Sequence, residues 1–261
     1  STQTFTLTAS ITGAGAIISS PAGINCSTTK TDCALELPAG TEITLTTLED
    51  EGFEHESWTG DCSGIGSCTL TMDSNKNVEA IFRPAEYDVT VNLVGPGRGN
   101  IVSQPNGIDC PSECVRSFPH GTQVTLIAQD EPGSIFAGWT GACAGSEECV
   151  LSLTNFETVV ARFEIERHTL HVASRGLGSG RITSDPATID CPGNCSVELD
   201  HQQTIELLAE PFAGSRFVGW EGICIGQAPC IVTAESSGTV VAVFESIYEL
   251  VTVSEFTMGS T

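Results

Sequence analysis

The amino-acid sequence predicts an all-β chain of three tandem small domains, each stapled by disulfides, together forming a semi-rigid rod. Three observations predict it. The three tryptophans, Trp58, Trp139 and Trp220, stand 81 residues apart, and the same offset carries Cys33 onto Cys114 and Cys195, Cys68 onto Cys149 and Cys230, and Phe82 onto Phe163 and Phe244. Such a period announces tandem modules. The twelve cysteines fall in three sets of four, as small domains with marginal cores require when they mature in an oxidising compartment. Apolar residues alternate with period two between Gly, Pro, Asn and Ser punctuation, and no helical period occurs anywhere.

The elements follow in order. In the first repeat His55 and Ser57 stand where Phe136 and Gly138, then Phe217 and Gly219, stand later. The surroundings of Trp58 are therefore expected to pack differently, with Phe53 filling in. In the second repeat Val89, Val91 and Leu93 alternate, Gly95-Pro96-Gly97 turns the chain, and Ile101 opens the next strand, which reads as a hairpin. Val124, Leu126 and Ala128 alternate and reappear as Ile205, Leu207 and Ala209; Val159, Ala161 and Phe163 reappear as Val240, Ala242 and Phe244. Each such triplet gives one strand a buried face. Phe136 and Trp139 sit three apart, and Gly138, like Gly219, permits a bulge that turns both rings to one side. Gly176-Leu177-Gly178-Ser179-Gly180 resembles a phosphate loop but lies between strands with no helix after it, so it too reads as a hairpin turn. Boundaries fall after the terminal phenylalanines, giving domains at 1–84, 85–165 and 166–246, with 247–261 as a connector or the first strand of a further domain. The connectors contain no Gly/Ser-rich stretch, hence the rod.

Ser103-Gln104-Pro105-Asn106-Gly107-Ile108-Asp109-Cys110, then Cys114, Gly121-Thr122, Phe136 through Cys143, Cys149 and Ala161-Arg162-Phe163 resemble, in fixed order, the divergent internalin-type B repeats of bacterial surface and secreted proteins. The likeness covers residues 1 to about 246. It implies compact all-β modules that serve as spacers or adhesive stalks, with no catalytic residues to carry over.

Four cysteines allow three pairings. The first repeat carries three extra residues between Cys26 and Cys33, and an insertion is tolerated best in a loop whose ends are held together. Local pairs are therefore expected: Cys26 with Cys33, Cys62 with Cys68, Cys110 with Cys114, Cys143 with Cys149, Cys191 with Cys195, and Cys224 with Cys230. The competing reading, four thiolates around zinc in each repeat, fits poorly because zinc ribbons want two residues between paired ligands. Trp58, Trp139, Trp220, Phe82, Phe163 and Phe244 are read as core aromatics, since a tryptophan against a cystine fills a small β core better than it presents itself to a sugar.

The net charge of -23, with Lys30 and Lys76 the only lysines, argues against nucleic acid and anionic lipid surfaces as partners. No apolar run approaches the roughly 18 residues of a membrane-spanning helix. The five histidines, His55, His120, His168, His171 and His201, read as scattered and solvated, with no triad or metal set built into the repeat. His168 and His171, three apart on a strand, point to opposite faces. The acidic turns Glu49-Asp50-Glu51 with Glu54 and Glu56, and Asp130-Glu131, lack the ligand spacing of a calcium loop and read as solvated. The expectation is a non-enzymatic stalk at a bacterial surface or outside the cell, with no cofactor and no metal. The alternatives are an adhesin that contacts glycan or protein through its most divergent loops, 64–67, 144–148 and 225–229, or a self-associating filament subunit. Because the chain opens on Ser1 rather than Met, an upstream segment such as a signal peptide is expected. Phe256-Thr257-Met258-Gly259-Ser260 resembles the opening strand of the formylglycine-generating-enzyme and C-type-lectin-like type of domain, which implies that the stalk presents such a domain.

Overall fold

The computed structural model describes residues 3–248; the expected start of a further domain in the tail lies outside them, save for Ile247 and Tyr248. The described residues form strands and turns with no helix, and the strands assemble into six sheets, two to each sequence repeat. By compactness the described residues part into two units, one holding residues 3–93, 101–128 and 138–161, the other residues 94–100, 129–137 and 162–248.

The third repeat gives the plan. Its first sheet runs, in spatial order, Ser196–Asp200, Arg167–Arg175, Gly238–Ser246 and Ser215–Gly222. The middle pair is parallel, with Leu170 beside Gly238 and Val172 beside Val240, and its neighbours are antiparallel. A parallel pair demands a long crossover, and here the whole second sheet supplies most of it. That sheet runs Asp190–Cys191, Gly180–Asp185, Thr204–Pro211 and Cys230–Thr233, antiparallel throughout. The alternating residues Leu170, Val172, Val240, Ala242 and Phe244 of the first sheet meet Ile182, Ile205, Leu207 and Val232 of the second in one core. The period-two triplets read from the sequence are thus the facing surfaces of a two-sheet sandwich.

The first repeat repeats the plan with Ala34–Pro38, Thr4–Thr12, Lys76–Pro84 and Phe53–Gly60 in one sheet. Its second sheet gains a fifth strand: Asn25–Ser27 and Thr31–Asp32 form a small hairpin, closed by the Ser27 N–H donating to the Lys30 carbonyl, within the longer Cys26–Cys33 ring. The second repeat has Val115–Pro119, Glu86–Val94, Glu157–Ile165 and Ser134–Gly141 in one sheet, and Asp109–Cys110, Gly99–Gln104, Gln123–Asp130 and Cys149–Ser152 in the other.

Three expectations are corrected. The glycine-rich turns at 95–97 and 176–180 are not hairpin turns, because the strands they join belong to different sheets. They are arches over a phenylalanine. A Cβ on Gly180 would lie 2.3 Å from Cε1 and Cζ of Phe244, and one on Gly99 would lie 2.2 Å from Cε1 of Phe163, so only a glycine lets the backbone cross from one sheet to the other around the buried ring. Nor is the insertion between Cys26 and Cys33 the first repeat's one departure in length, as its register would otherwise suggest: its own arch is two residues long (13–14) where the others are four (95–98 and 176–179).

Third, Trp58 packs as its counterpart in the third repeat does. His55 takes the phenylalanine's place, 5.2 Å from the Trp58 ring and 5.7 Å from Phe82, as Phe217 lies 5.0 Å from Trp220 and 5.8 Å from Phe244. Phe53 stays at the margin of that core. The bulge that turns both rings inward occurs at His55/Ser57 as well as at Phe217/Gly219. It therefore does not depend on the glycine.

Candidate functional site

Each tryptophan block leads from a strand of the first sheet into a short ring closed by a disulfide: Cys62–Cys68, Cys143–Cys149 and Cys224–Cys230. The tryptophan holds that ring from beneath. The backbone N–H groups of Trp58, Trp139 and Trp220 donate to the carbonyls of Gly64, Gly145 and Gly226 at 2.8, 2.7 and 2.6 Å. The indole N–H groups of Trp58 and Trp139 donate to the carbonyls of Gly66 and Glu147 at 2.6 and 2.7 Å. Gly64, Gly145 and Gly226 all lie at φ between 81° and 87°, the left-handed region that disfavours a Cβ, which accounts for a glycine at that offset in every repeat. All three indoles are buried, so none offers a face to a sugar. What projects is the loop tip, and Ile65 and Ile225 there are 80% and 83% exposed.

The other cysteine pairs are Cys26–Cys33, Cys110–Cys114 and Cys191–Cys195, with no cysteine left free. No thiolate remains for a zinc site. Phe82, Phe163 and Phe244 are buried beneath the arches.

A feature that sequence reasoning passed over is the serine of the S-x-P step. Ser103 and Ser184 are buried. Each hydroxyl donates to the carbonyl of the proline two residues on (Pro105, Pro186) and accepts from the N–H five residues on (Ile108, Ile189). With its proton given to a backbone carbonyl rather than to a base, and one lone pair taken by a backbone N–H, such a hydroxyl braces the loop. Beside it, Arg181 donates to both carboxylate oxygens of Asp190 at 2.6 and 2.7 Å, and this hydrogen bonding holds the Asp190 carboxyl below the usual carboxylate range. Of the acidic turns expected to be solvated, Glu49, Asp50, Glu51, Glu56, Asp130 and Glu131 are exposed, whereas Glu54 is half-buried and pairs with Arg83 at 2.6 Å.

The histidines are not as scattered as they read. His201 follows His120 by 81 residues, and each sits where one repeat's chain passes to the next. The Ala85 N–H donates to the Gly52 carbonyl and the His120 N–H to the Ala85 carbonyl; likewise Glu166 N–H to Gly133, and His201 N–H to Glu166. Each imidazole lies flat over its glycine, so that a Cβ on Gly52 or Gly133 would come within 2.2 Å of the His120 or His201 ring. The Ile247 N–H donates to the Gly214 carbonyl in the same way. On the strand Arg167–Arg175, His168 is buried and His171 exposed, on opposite faces as their spacing requires.

Buried cystines, buried aromatic rings and braced loops, written three times over, define a tandem array of disulfide-bonded β modules. The chain belongs to the divergent InlB B-repeat domain family, whose model matches residues 18–86, 110–167 and 172–248. Among solved structures, the Bacillus anthracis TIE protein is similar over 95% of this chain, at 10% identity and a TM-score of 0.54. This chain spans half the length of that one, and at such identity the likeness is one of fold. The pilus adhesin SpaC of Lactobacillus rhamnosus GG in its open conformation (7% identity, 95% of this chain and 44% of that one, TM-score 0.28) superposes too loosely to carry an argument. The same holds for two B-repeat units of the collagen-binding protein of Staphylococcus aureus (10% identity, 93% and 75%, TM-score 0.19). No curated protein matches in sequence.

Proposed function

We propose that the chain is an extracellular, non-enzymatic stalk whose repeats set a distance between a surface and an adjoining domain. The observation that carries this reading is the length of the connectors. Lys76–Pro84 is followed at once by Glu86–Val94, and Glu157–Ile165 by Arg167–Arg175, so Ala85 and Glu166 are the whole of each connection. Both residues are tied on either side by backbone hydrogen bonds. A one-residue connector with both its N–H and its carbonyl engaged has little freedom to swing, unlike a Gly/Ser linker. Six disulfides support an oxidising location. Small-angle scattering tests the proposal. The expected result is a maximum dimension on the order of 100 Å, that of three small modules in line, unchanged by salt. A compact envelope, or one that fluctuates as a flexible string does, refutes it.

The exposed tips favour a second reading, in which the array also adheres to glycan or protein. Rigid loops bearing Ile65 and Ile225 in the open are suited to contact, because their shape is fixed beforehand by the cystine and the tryptophan. Arrays of glycans and matrix proteins probed with the whole chain separate the two. A pure spacer binds nothing, whereas an adhesin loses its signal when Ile65 and Ile225 are changed to serine.

A further inference from the structure

We propose that Glu166, His168 and His201 form a binding site for one divalent transition-metal ion of the zinc type, with solvent completing its coordination. Among the described residues they are the one group of three such side chains whose ligand atoms come together, all within 4.8 Å of one another. His168 points inward from the strand Arg167–Arg175, 8% exposed. His201 follows the neighbouring strand, its N–H fixed by the Glu166 carbonyl at 2.8 Å. Nε2 of His168 faces Nδ1 of His201 at 3.1 Å.

That separation suits a shared metal as well as it suits a hydrogen bond. Two imidazole nitrogens, each about 2.05 Å from a tetrahedral zinc, lie roughly 3.3 Å apart, so the nitrogens keep nearly their separation while each ring turns to aim its lone pair at the ion. Two imidazoles and one carboxylate are donors for zinc, nickel or copper, whereas calcium and magnesium want oxygen throughout. The chain's charge of -23 draws cations toward it. Glu166 also borders an open groove of about 580 Å³, lined besides by Pro96, Ile135, Ile165 and Arg167, which gives an ion access to the carboxylate.

The molecule contains its own comparison. At the three equivalent positions 81 residues earlier stand Ala85, Tyr87 and His120. His120 is held by the same backbone bond, its ring lies edge-on to Tyr87 at 6.0 Å, and its Nδ1 is buried with no hydrogen-bond partner. The fold therefore places an imidazole at both junctions, and the junction stands without a second imidazole or a carboxylate. Glu166 and His168 are additions that the architecture does not require, and both bring ligands.

The test is calorimetric titration of the whole, chelator-stripped chain with zinc chloride, together with X-ray absorption at the zinc edge. One zinc per chain is expected, with two imidazole nitrogens in its coordination shell. His168→Tyr installs the residue that the second repeat already carries there, so folding is retained, and affinity is expected to fall by more than about a hundredfold, beyond the loss usual for an outer-shell change. Glu166→Ala and His201→Asn are expected to weaken binding as well, and His120→Ala to leave it unaltered. Absence of saturable binding at one equivalent overturns the proposal. So does zinc binding that survives His168→Tyr, since the ion would then be held by surface carboxylates.

Discussion

The ring of His55 lies where a phenylalanine lies in the later repeats, between Trp58 and Phe82, yet its Nε2 is buried with no hydrogen-bond partner. An unpaired buried polar atom costs about 1–3 kcal/mol, and an apolar ring of similar shape removes that cost. His55→Phe is therefore expected to stabilise the first repeat by roughly 1 kcal/mol, read as a higher urea midpoint with an unchanged slope. Destabilisation would show that the imidazole has a partner in solution. This substitution was legible in the sequence as a break in the pattern. Its outcome was not, because a one-dimensional pattern shows that a residue is polar but not whether its ring still fills the same space. The recurrence of His120 at His201 was equally legible, since the 81-residue offset relates those two imidazoles as it relates the cysteines.

Period-two alternation marked the strands correctly, since the side chains of Val159, Ala161 and Phe163 must fall on one face whatever that strand pairs with. Partner choice was another matter. Two strands separated by a glycine-rich turn can pair across it or part into two sheets, and the local sequence Gly-x-Gly is compatible with both. What decides is the distant phenylalanine whose ring fills the space beneath the arch. Gly180→Ala tests that account. The new methyl would meet the Phe244 ring at 2.3 Å and the Glu210 carbonyl at 2.8 Å, and overpacking of this kind costs about 1–3 kcal/mol. The third repeat is expected to lose that much stability while Gly121→Ala, at a glycine with nothing within 4 Å, loses chiefly what its φ of 76° demands. Equal effects would refute the arch as the reason for the glycine. The parallel pairing of Arg167–Arg175 with Gly238–Ser246 was illegible for a related reason: their contact is set by the crossover between them, which no local pattern encodes.

For the chain as a whole, the repeat period and the resemblance together anticipated three modules, and the six sheets divide accordingly. Each core is closed by its own phenylalanine, tryptophan and cystines, the first and third clusters sharing no residue. The proposed boundaries at 84/85 and 165/166 lead to a plain expectation: a fragment of residues 166–248 folds alone, with cooperative loss of Trp220 fluorescence in urea. A fragment that unfolds gradually, or only folds when residues 85–165 precede it, would falsify the boundary. Such a module is near the lower size at which a core suffices, which is why its staples matter at this scale more than any single contact.

Those staples also bear on how the protein comes to exist. Twelve cysteines could pair in on the order of ten thousand ways, yet every bridge joins a cysteine to the very next one along the chain, at separations of 4, 6 or 7 residues. If the chain is exported, as proposed above, each correct pair leaves the channel before the following cysteine arrives, and oxidation in that order reaches the finished pattern without reshuffling.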